Sequence, residues 1–234
     1  MKTLKIAHLY PKLLNIYGDK GNVITLKSRY EWRGGEVLID EINIGDEICE
    51  HDIYFMGGGQ DIQQIEVSKE IQKHKDFLIS ERDRGAVFLG ICGGYQLFGH
   101  YYKPHEGDEL KGIALLDAYT VAGDKRFIGN VTVKTDIVKP NTLTGFENHS
   151  GLTFLQGDTK PIGNVIVGNG NNGKDKCEGA RYKNVFGTYL HGSFLPKNTH
   201  FADYLIELAT GKKLEPLNDN IETLTHNSLI GKAY

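Results

Sequence analysis

The sequence predicts an α/β protein built on a mostly parallel central sheet, with added strands in its second half. Three observations carry this. In the first hundred residues, apolar strand-length runs alternate with helix-length segments, the pattern of a doubly wound sheet. After residue 112 the texture changes to short strand-like runs separated by Gly/Asn-rich turns. Glycine is also abundant: 29 of 234 residues, where average usage near 7% gives roughly 16. A surplus of that size marks places where the backbone turns sharply or approaches a ligand.

Taken in order, residues 5–10 read as a buried strand. Residues 18–33 read as a helix, with Val23, Ile24, Leu26 and Tyr30 on its apolar face and Gly34-Gly35 stopping it. Residues 36–44 alternate in a strand-like way. Residues 52–56 form a short apolar strand that runs into Gly57-Gly58-Gly59. Asp61 is placed to cap a long helix reaching about residue 84, closed by Gly85. The continuous apolar run 86–92 (AVFLGIC) is expected at the centre of a parallel sheet, and 93–102 as the helix after it. Strand-like runs follow at 114–121, 128–134, 165–168 and 180–189, then a last helix over about 198–208, ending near Gly211. No linker or internal repeat interrupts the chain, so residues 1–234 read as a single domain.

Charge and cysteine usage narrow the function. Lys+Arg 27 against Asp+Glu 30 leaves a net charge of −3, and no basic tract of five or more residues occurs, so no nucleic-acid partner is expected. No apolar stretch approaches the ~20 residues of a bilayer span, and the N-terminus reads as a first strand rather than a signal peptide. Cys49, Cys92 and Cys177 are widely spaced and make neither a disulfide framework nor a Cys-x-x-Cys metal site. No metal is expected in the chain, and the expected compartment is the reducing cytoplasm. Gly168-Asn169-Gly170-Asn171-Asn172-Gly173-Lys174 imitates nucleotide-binding glycine loops. Asp175, however, stands where a P-loop needs Ser or Thr, and a strand rather than a helix follows. A hairpin turn is expected there, and no ATP site in this chain.

The most informative segment is Gly90-Ile91-Cys92-Gly93-Gly94-Tyr95-Gln96. A strand ends, one reactive residue sits between glycines, and a helix begins, as in the nucleophile elbow with cysteine in place of serine. The turn lifts the sulfur out at the end of the sheet and beside a helix N-terminus, which lowers a thiol pKa from about 8.5. A nucleophilic thiol needs a base. His191, at a strand end in Gly187-Thr188-Tyr189-Leu190-His191-Gly192, is one candidate; His149, in Glu147-Asn148-His149-Ser150-Gly151, is the second. The triple glycine offers backbone N–H groups that, with that of Gly93, could form an oxyanion hole.

These motifs resemble class I glutamine amidotransferases, in the CobB/CobQ-like branch. Further segments carry the likeness: LYPKLLNIYGDKGNVITLKSRYEWRG at 9–34, YFMGGGQD at 54–61, RFIGN at 126–130, GFENHSGLT at 145–153 and GTYLHGSFLPKN at 187–198. Together they are similar to the GatD-type glutaminase subunits of lipid II isoglutaminyl synthases, over most of residues 4–210. The resemblance implies a flavodoxin-like three-layer sandwich and a Cys92 that attacks the side-chain amide of L-glutamine. It implies that Gly58 or Gly59 and Gly93 hold the oxyanion and that His191 moves the protons. It further implies that Gln96 and Arg126 bind the substrate, Arg126 by pairing with its carboxylate. The implied partner is a Mur-ligase-like synthetase in a heterodimer, carrying ATP and Mg. That subunit would amidate the D-glutamate α-carboxylate of lipid II to D-isoglutamine, at the inner face of the membrane.

One departure stands out. The wider superfamily follows its histidine two residues later with glutamate, whereas Ser193 stands there. The third catalytic residue therefore stays open. Two other readings are a glutaminase for another acceptor, such as a corrinoid, and a catalytically silent partner-binding scaffold. The last ~20 residues carry no motif.

Overall fold

In a computed structural model, residues 2–191 and 193–232 are described, with Tyr17 and Asp61 as backbone only. The first half runs β1 (Leu4–Leu9), α1 (Lys20–Glu31), β2 (Val37–Ile42), β3 (Ile53–Met56), α2 (Asp61–Ile71), α3 (Lys75–Arg84), β4 (Val87–Ile91) and α4 (Gly93–Phe98). The second half adds β5 (Tyr101–Lys103), β6 (Leu110–Lys111), β7 (Ala118–Lys134), β8 (Thr142–Leu155), β9 (Gly163–Val167), β10 (Cys177–Glu178), β11 (Ala180–Tyr182) and β12 (Val185–Thr188). Three helices close it: α5 (Phe194–Lys197), α6 (Thr199–Thr210) and α7 (Asn220–Leu229).

The main sheet is ordered β11-β12-β4-β3-β1-β2. Its pairs are parallel except β11 on β12. Counted along the parallel strands this is the 2-1-3-4-5 order of flavodoxin-like folds, in which ligands sit at the strand carboxyl ends near β1 and β3. Every residue of β3 and β4 is buried. Their alternate side chains feed two cores: Ile53 and Phe55 join α1 and α6 residues such as Leu26 and Phe201, while Tyr54 and Met56 join α2 and α3 residues such as Val67 and Leu78.

The second sheet runs β10-β9-β7-β5-β6, with β8 also paired to β7. All its pairs but β5 on β7 are antiparallel. The expected run 128–134 and only the end, 118–121, of the expected run 114–121 lie in one 17-residue strand, β7; residues 114–117 precede it outside any strand. Between them the β7–β8 register shifts, from Ala122 to Phe127. The charged segment Gly123-Asp124-Lys125-Arg126 occupies that irregularity, which re-aims side chains away from the regular ladder.

Several sequence expectations need correction. The helix expected from 61 to 84 is two helices, because residues 72–74 tighten into a single 3-10 turn. Gln72 ties that turn to the second sheet through the carbonyls of Lys111 and Gly112, at 3.1 and 3.0 Å. Asp61 is the first residue of α2, not its cap; Gln60 holds the cap position. The helix expected over 93–102 ends at Phe98, since Gly99 is extended and packs its backbone against the Ala118 carbonyl, sending 101–103 into a strand. The strand β8 was not expected at all. The Asn/Gly segment 168–173 is a turn between antiparallel β9 and β10, with Gly168, Gly170 and Gly173 at φ of 105°, 68° and 70°.

Candidate active site

The carboxyl ends of β1, β3, β4 and β12 converge on one place. Met56 ends β3, and Gly57-Gly58-Gly59 cross toward the elbow that follows β4. At Cys92 the backbone takes φ 50°, ψ −103°, a left-handed conformation strained for a residue with a Cβ. The expected elbow is therefore present in the geometry. Gly94 must lack a side chain: a Cβ there would run into the carbonyl oxygens of Met56 and Gly57. Instead the Gly94 N–H donates to the Gly57 carbonyl at 3.1 Å, fastening elbow to glycine loop.

His191 follows β12 and is 1% exposed. Its backbone N–H donates to the Phe146 carbonyl of β8, so the residue joins both sheets. Gly58 lies between the two reactive candidates. A Cβ placed on it would stand 3.2 Å from His191 Cε1 and 3.3 Å from Cys92 Cβ. Only a residue without a side chain leaves this space open. Burial, and then neighbouring His149, Arg126 and Lys197, hold the His191 imidazole down at about 3. It is neutral near pH 7, the form that accepts a proton.

A third buried group here has no signature in the sequence. Asp19, from the loop after β1, is fully buried. Its Oδ2 accepts the Gly58 N–H at 2.7 Å, and its Oδ1 lies 4.0 Å from His191 Nδ1. Burial pushes this carboxyl up to about 7, against the pull of the Gly58 N–H. As placed, Gly58 therefore gives its N–H to a side chain. Gly93 opens α4, so its N–H is one that the helix's own ladder leaves over. Gly59 lines the cavity beside Cys92.

That cavity, of about 290 Å³, brings Cys92 together with Gln96, Arg126 and His149. Arg126 comes from the irregular part of β7, and its Nε donates to Asn148 Oδ1 of β8 at 2.6 Å. Gln96 is buried, with Nε2 donating to the Tyr189 hydroxyl at 3.2 Å. Its Oε1 has no hydrogen-bond partner among the described residues. His149 lies flat on the Tyr189 ring, centroids 3.6 Å apart and planes 5° from parallel. Its Nδ1 faces the Gly151 carbonyl at 2.8 Å, and burial holds its pKa down at about 4. His149 thus lines the cavity, while His191 sits behind the glycine loop with Asp19.

Ser193 does not stand in for the superfamily's glutamate. Its hydroxyl donates to the Gly18 carbonyl at 2.7 Å. Gly192 lies outside the described residues. Among the described residues no group of three or more His, Cys, Asp or Glu could hold a metal ion, and no helix is long and apolar enough to cross a membrane.

Comparison with known proteins gives this geometry a family. The profile of the CobB/CobQ-like glutamine amidotransferase domain matches residues 5–199. The chain is 43% identical over 240 aligned positions to the lipid II isoglutaminyl synthase (glutamine-hydrolyzing) subunit GatD of Staphylococcus aureus, covering 100% of this chain and 97% of that protein. It is 41% identical over 213 positions to the GatD subunit of Streptococcus pneumoniae, covering 90% and 82%. Among solved structures, a chain of PurLQS from Thermotoga maritima superposes with a TM-score of 0.63 at 16% identity, over 90% of this chain and 99% of that one, a likeness of fold. The chain belongs to the CobB/CobQ-like glutamine amidotransferase family and, within it, to the group of GatD subunits.

Proposed function

We propose that this chain is the glutaminase subunit of a lipid II isoglutaminyl synthase. It hydrolyses L-glutamine to glutamate and ammonia, and passes the ammonia to a Mur-ligase-like partner in a heterodimer. The partner, using ATP and Mg, amidates the D-glutamate α-carboxylate of lipid II to D-isoglutamine in peptidoglycan synthesis. Because lipid II is membrane-anchored, the pair works at the cytoplasmic face of the membrane. The observation that carries the chemistry is the placement of Cys92 and His191 on either side of Gly58, with Cys92 lining a cavity that Arg126 also lines.

The reaction follows from those groups. Arg126 takes the glutamine α-carboxylate, and Gln96 contacts the substrate from the elbow helix. The Cys92 sulfur gives its proton to His191 and bonds to the side-chain amide carbon. The carbonyl oxygen becomes an oxyanion, held by the backbone N–H of Gly93 and by that of Gly59 in the glycine loop, since the Gly58 N–H is taken by Asp19 Oδ2. His191 returns the proton to the amide nitrogen; the C–N bond breaks and ammonia leaves. Water, giving a proton to His191, then attacks the γ-glutamyl thioester. Glutamate departs, and the proton returns to the sulfur.

The test is reconstitution with the synthetase partner, ATP, glutamine and lipid II. Amidated lipid II and one glutamate per amide are expected from the wild type, and neither from Cys92→Ala. If the active glutaminase leaves lipid II unamidated, the isoglutaminyl reading is wrong and another acceptor, such as a corrinoid, takes its place. If glutamine is never hydrolysed, the scaffold reading stands.

A further inference from the structure

A second groove, of about 770 Å³, stands apart from the catalytic cavity and shares no residue with it. It is walled by parts of 134–141, 158–164 and 181–183. These lie at the far end of the elements that build the active site. Lys134 ends β7, well past Arg126, and Tyr182 ends β11 and leads into the start of β12, whereas His191 follows the end of β12. Five cations line the groove, Lys134, Lys139, Lys160, Arg181 and Lys183, in a chain whose net charge is −3. Two carboxylates, Asp136 and Asp158, oppose them. We infer that this groove is a second binding site, for a ligand that carries a diphosphate group. The inference does not depend on the glutaminase reading.

Three observations support it. First, Lys160 and Arg181 face each other directly in an antiparallel bridge, each backbone N–H donating to the other's carbonyl, at 3.0 and 2.6 Å. Like charges placed directly opposite destabilise such a pair, so an anion between them recovers what the pairing loses. Second, the charge is not spent inside the protein. Among the described residues Lys134, Lys139, Lys160 and Arg181 form no salt bridge, and Asp136 and Asp158 pair with none of them. Lys183 does pair, with Asp83 at 2.8 Å, which lies outside the groove. The Arg181 guanidinium lies over the Phe186 ring at 5.6 Å, and its Nε reaches only the Lys183 carbonyl at 3.4 Å. Third, the walls are held in place. Buried Thr135 donates its hydroxyl to the Ile162 carbonyl at 2.7 Å and its N–H to the Asn141 carbonyl at 2.9 Å, tying the first wall to the second.

The chemistry of the ligand follows from the charge and the shape. A single phosphate carries about −2, which leaves part of the excess unmatched, whereas two linked phosphates match it and span cations on separate walls. The floor is apolar, with Ile162 buried beside Ile137 and Pro161, so the site joins an apolar base to converging polar groups, as small-molecule sites do. L-glutamine, with no net charge, has no call on such a groove.

The experiment titrates the full chain with inorganic diphosphate by calorimetry, and with phosphatidylcholine vesicles, plain or doped with farnesyl diphosphate, by co-sedimentation. Wild type is compared with Lys160→Gln/Arg181→Gln and with a control, Lys69→Gln/Lys75→Gln, that removes two lysines away from the groove. Saturable one-site binding is expected for wild type and control. The groove variant is expected to bind at least about tenfold more weakly, while melting at or above the wild-type temperature because the opposed charges are gone. Binding of free diphosphate supports the inference with a soluble ligand as source. Binding of the doped vesicles alone supports it with a lipid headgroup as source. Binding of neither overturns it, as does equal weakening in the control variant or undiminished binding in the groove variant. A groove variant that instead loses the synthetase partner on gel filtration, with no diphosphate bound by the wild type, makes the groove a protein interface and overturns it as well.

Discussion

The parallel sheet presents Cys92 and His191 just beyond the ends of β4 and β12, strands whose residues are all buried. The antiparallel sheet presents Arg126 from a break in the β7–β8 register, where the chain is exposed. One side of the cavity is built on fully buried strands; the other carries an exposed Arg126. Burial on the first side shifts protonation, as the His191 value of about 3 shows. On the second side an exposed guanidinium can meet a dissolved carboxylate without first losing a deep site. The contrast assigns bond-making to the parallel sheet and substrate capture to the antiparallel one. It can be broken by showing that either side does the other's work.

The largest effect is expected from the parallel side. Cys92→Ala should abolish glutamine hydrolysis, and His191→Ala should cut kcat by about 10²–10⁴, with melting temperatures near wild type. If His191→Ala stays active, the base lies on the antiparallel side, and His149 becomes the candidate. Next in size, Arg126→Ala should raise KM about 10-fold or more while kcat changes little. A fall in kcat at constant KM would dissolve the division of labour.

The smallest effect sharpens where the two sheets meet. Glu178 of β10 is fully buried beneath the strand that leads to His191, accepting from the Thr188 hydroxyl at 2.6 Å and the Tyr189 N–H at 2.8 Å. Burial pushes it up to about 7 from its ordinary 4.5. Between those values the unfolded chain has lost a proton that the folded chain keeps. Its contribution therefore favours the fold at low pH and is lost as pH rises through 7. Glu178→Gln cannot ionise, so its melting temperature relative to wild type should rise by about 5–10 °C from pH 5 to pH 8. A difference that stays flat with pH would mean that Glu178 does not hold its proton as proposed.

The same contrast explains what the sequence revealed. The strands β1, β3 and β4 were legible because burial on both faces demands continuous apolar runs, and the elbow because glycines are obligatory where backbones touch. The strand β8 was not legible: Gly145, Glu147, Asn148 and Gly151 interrupt its pattern, and it pairs through the long β7 ladder rather than through its own composition. Arg126 could be placed by resemblance only, since a single arginine in a charged turn reads as surface. Asp19 was missed because, between Gly18 and Lys20, it reads as an ordinary helix start. Its contacts are to Gly58 and His191, neither of which is near it in sequence.

The central claim is that Cys92 attacks glutamine with the help of groups gathered at one end of the parallel sheet. Rapid acid quench during turnover, followed by peptide mass mapping, tests it most directly. The expected result is a γ-glutamyl adduct on the peptide containing Cys92, absent in Cys92→Ala. Turnover with no adduct on that peptide, or with the adduct on Cys49 or Cys177, would contradict the account.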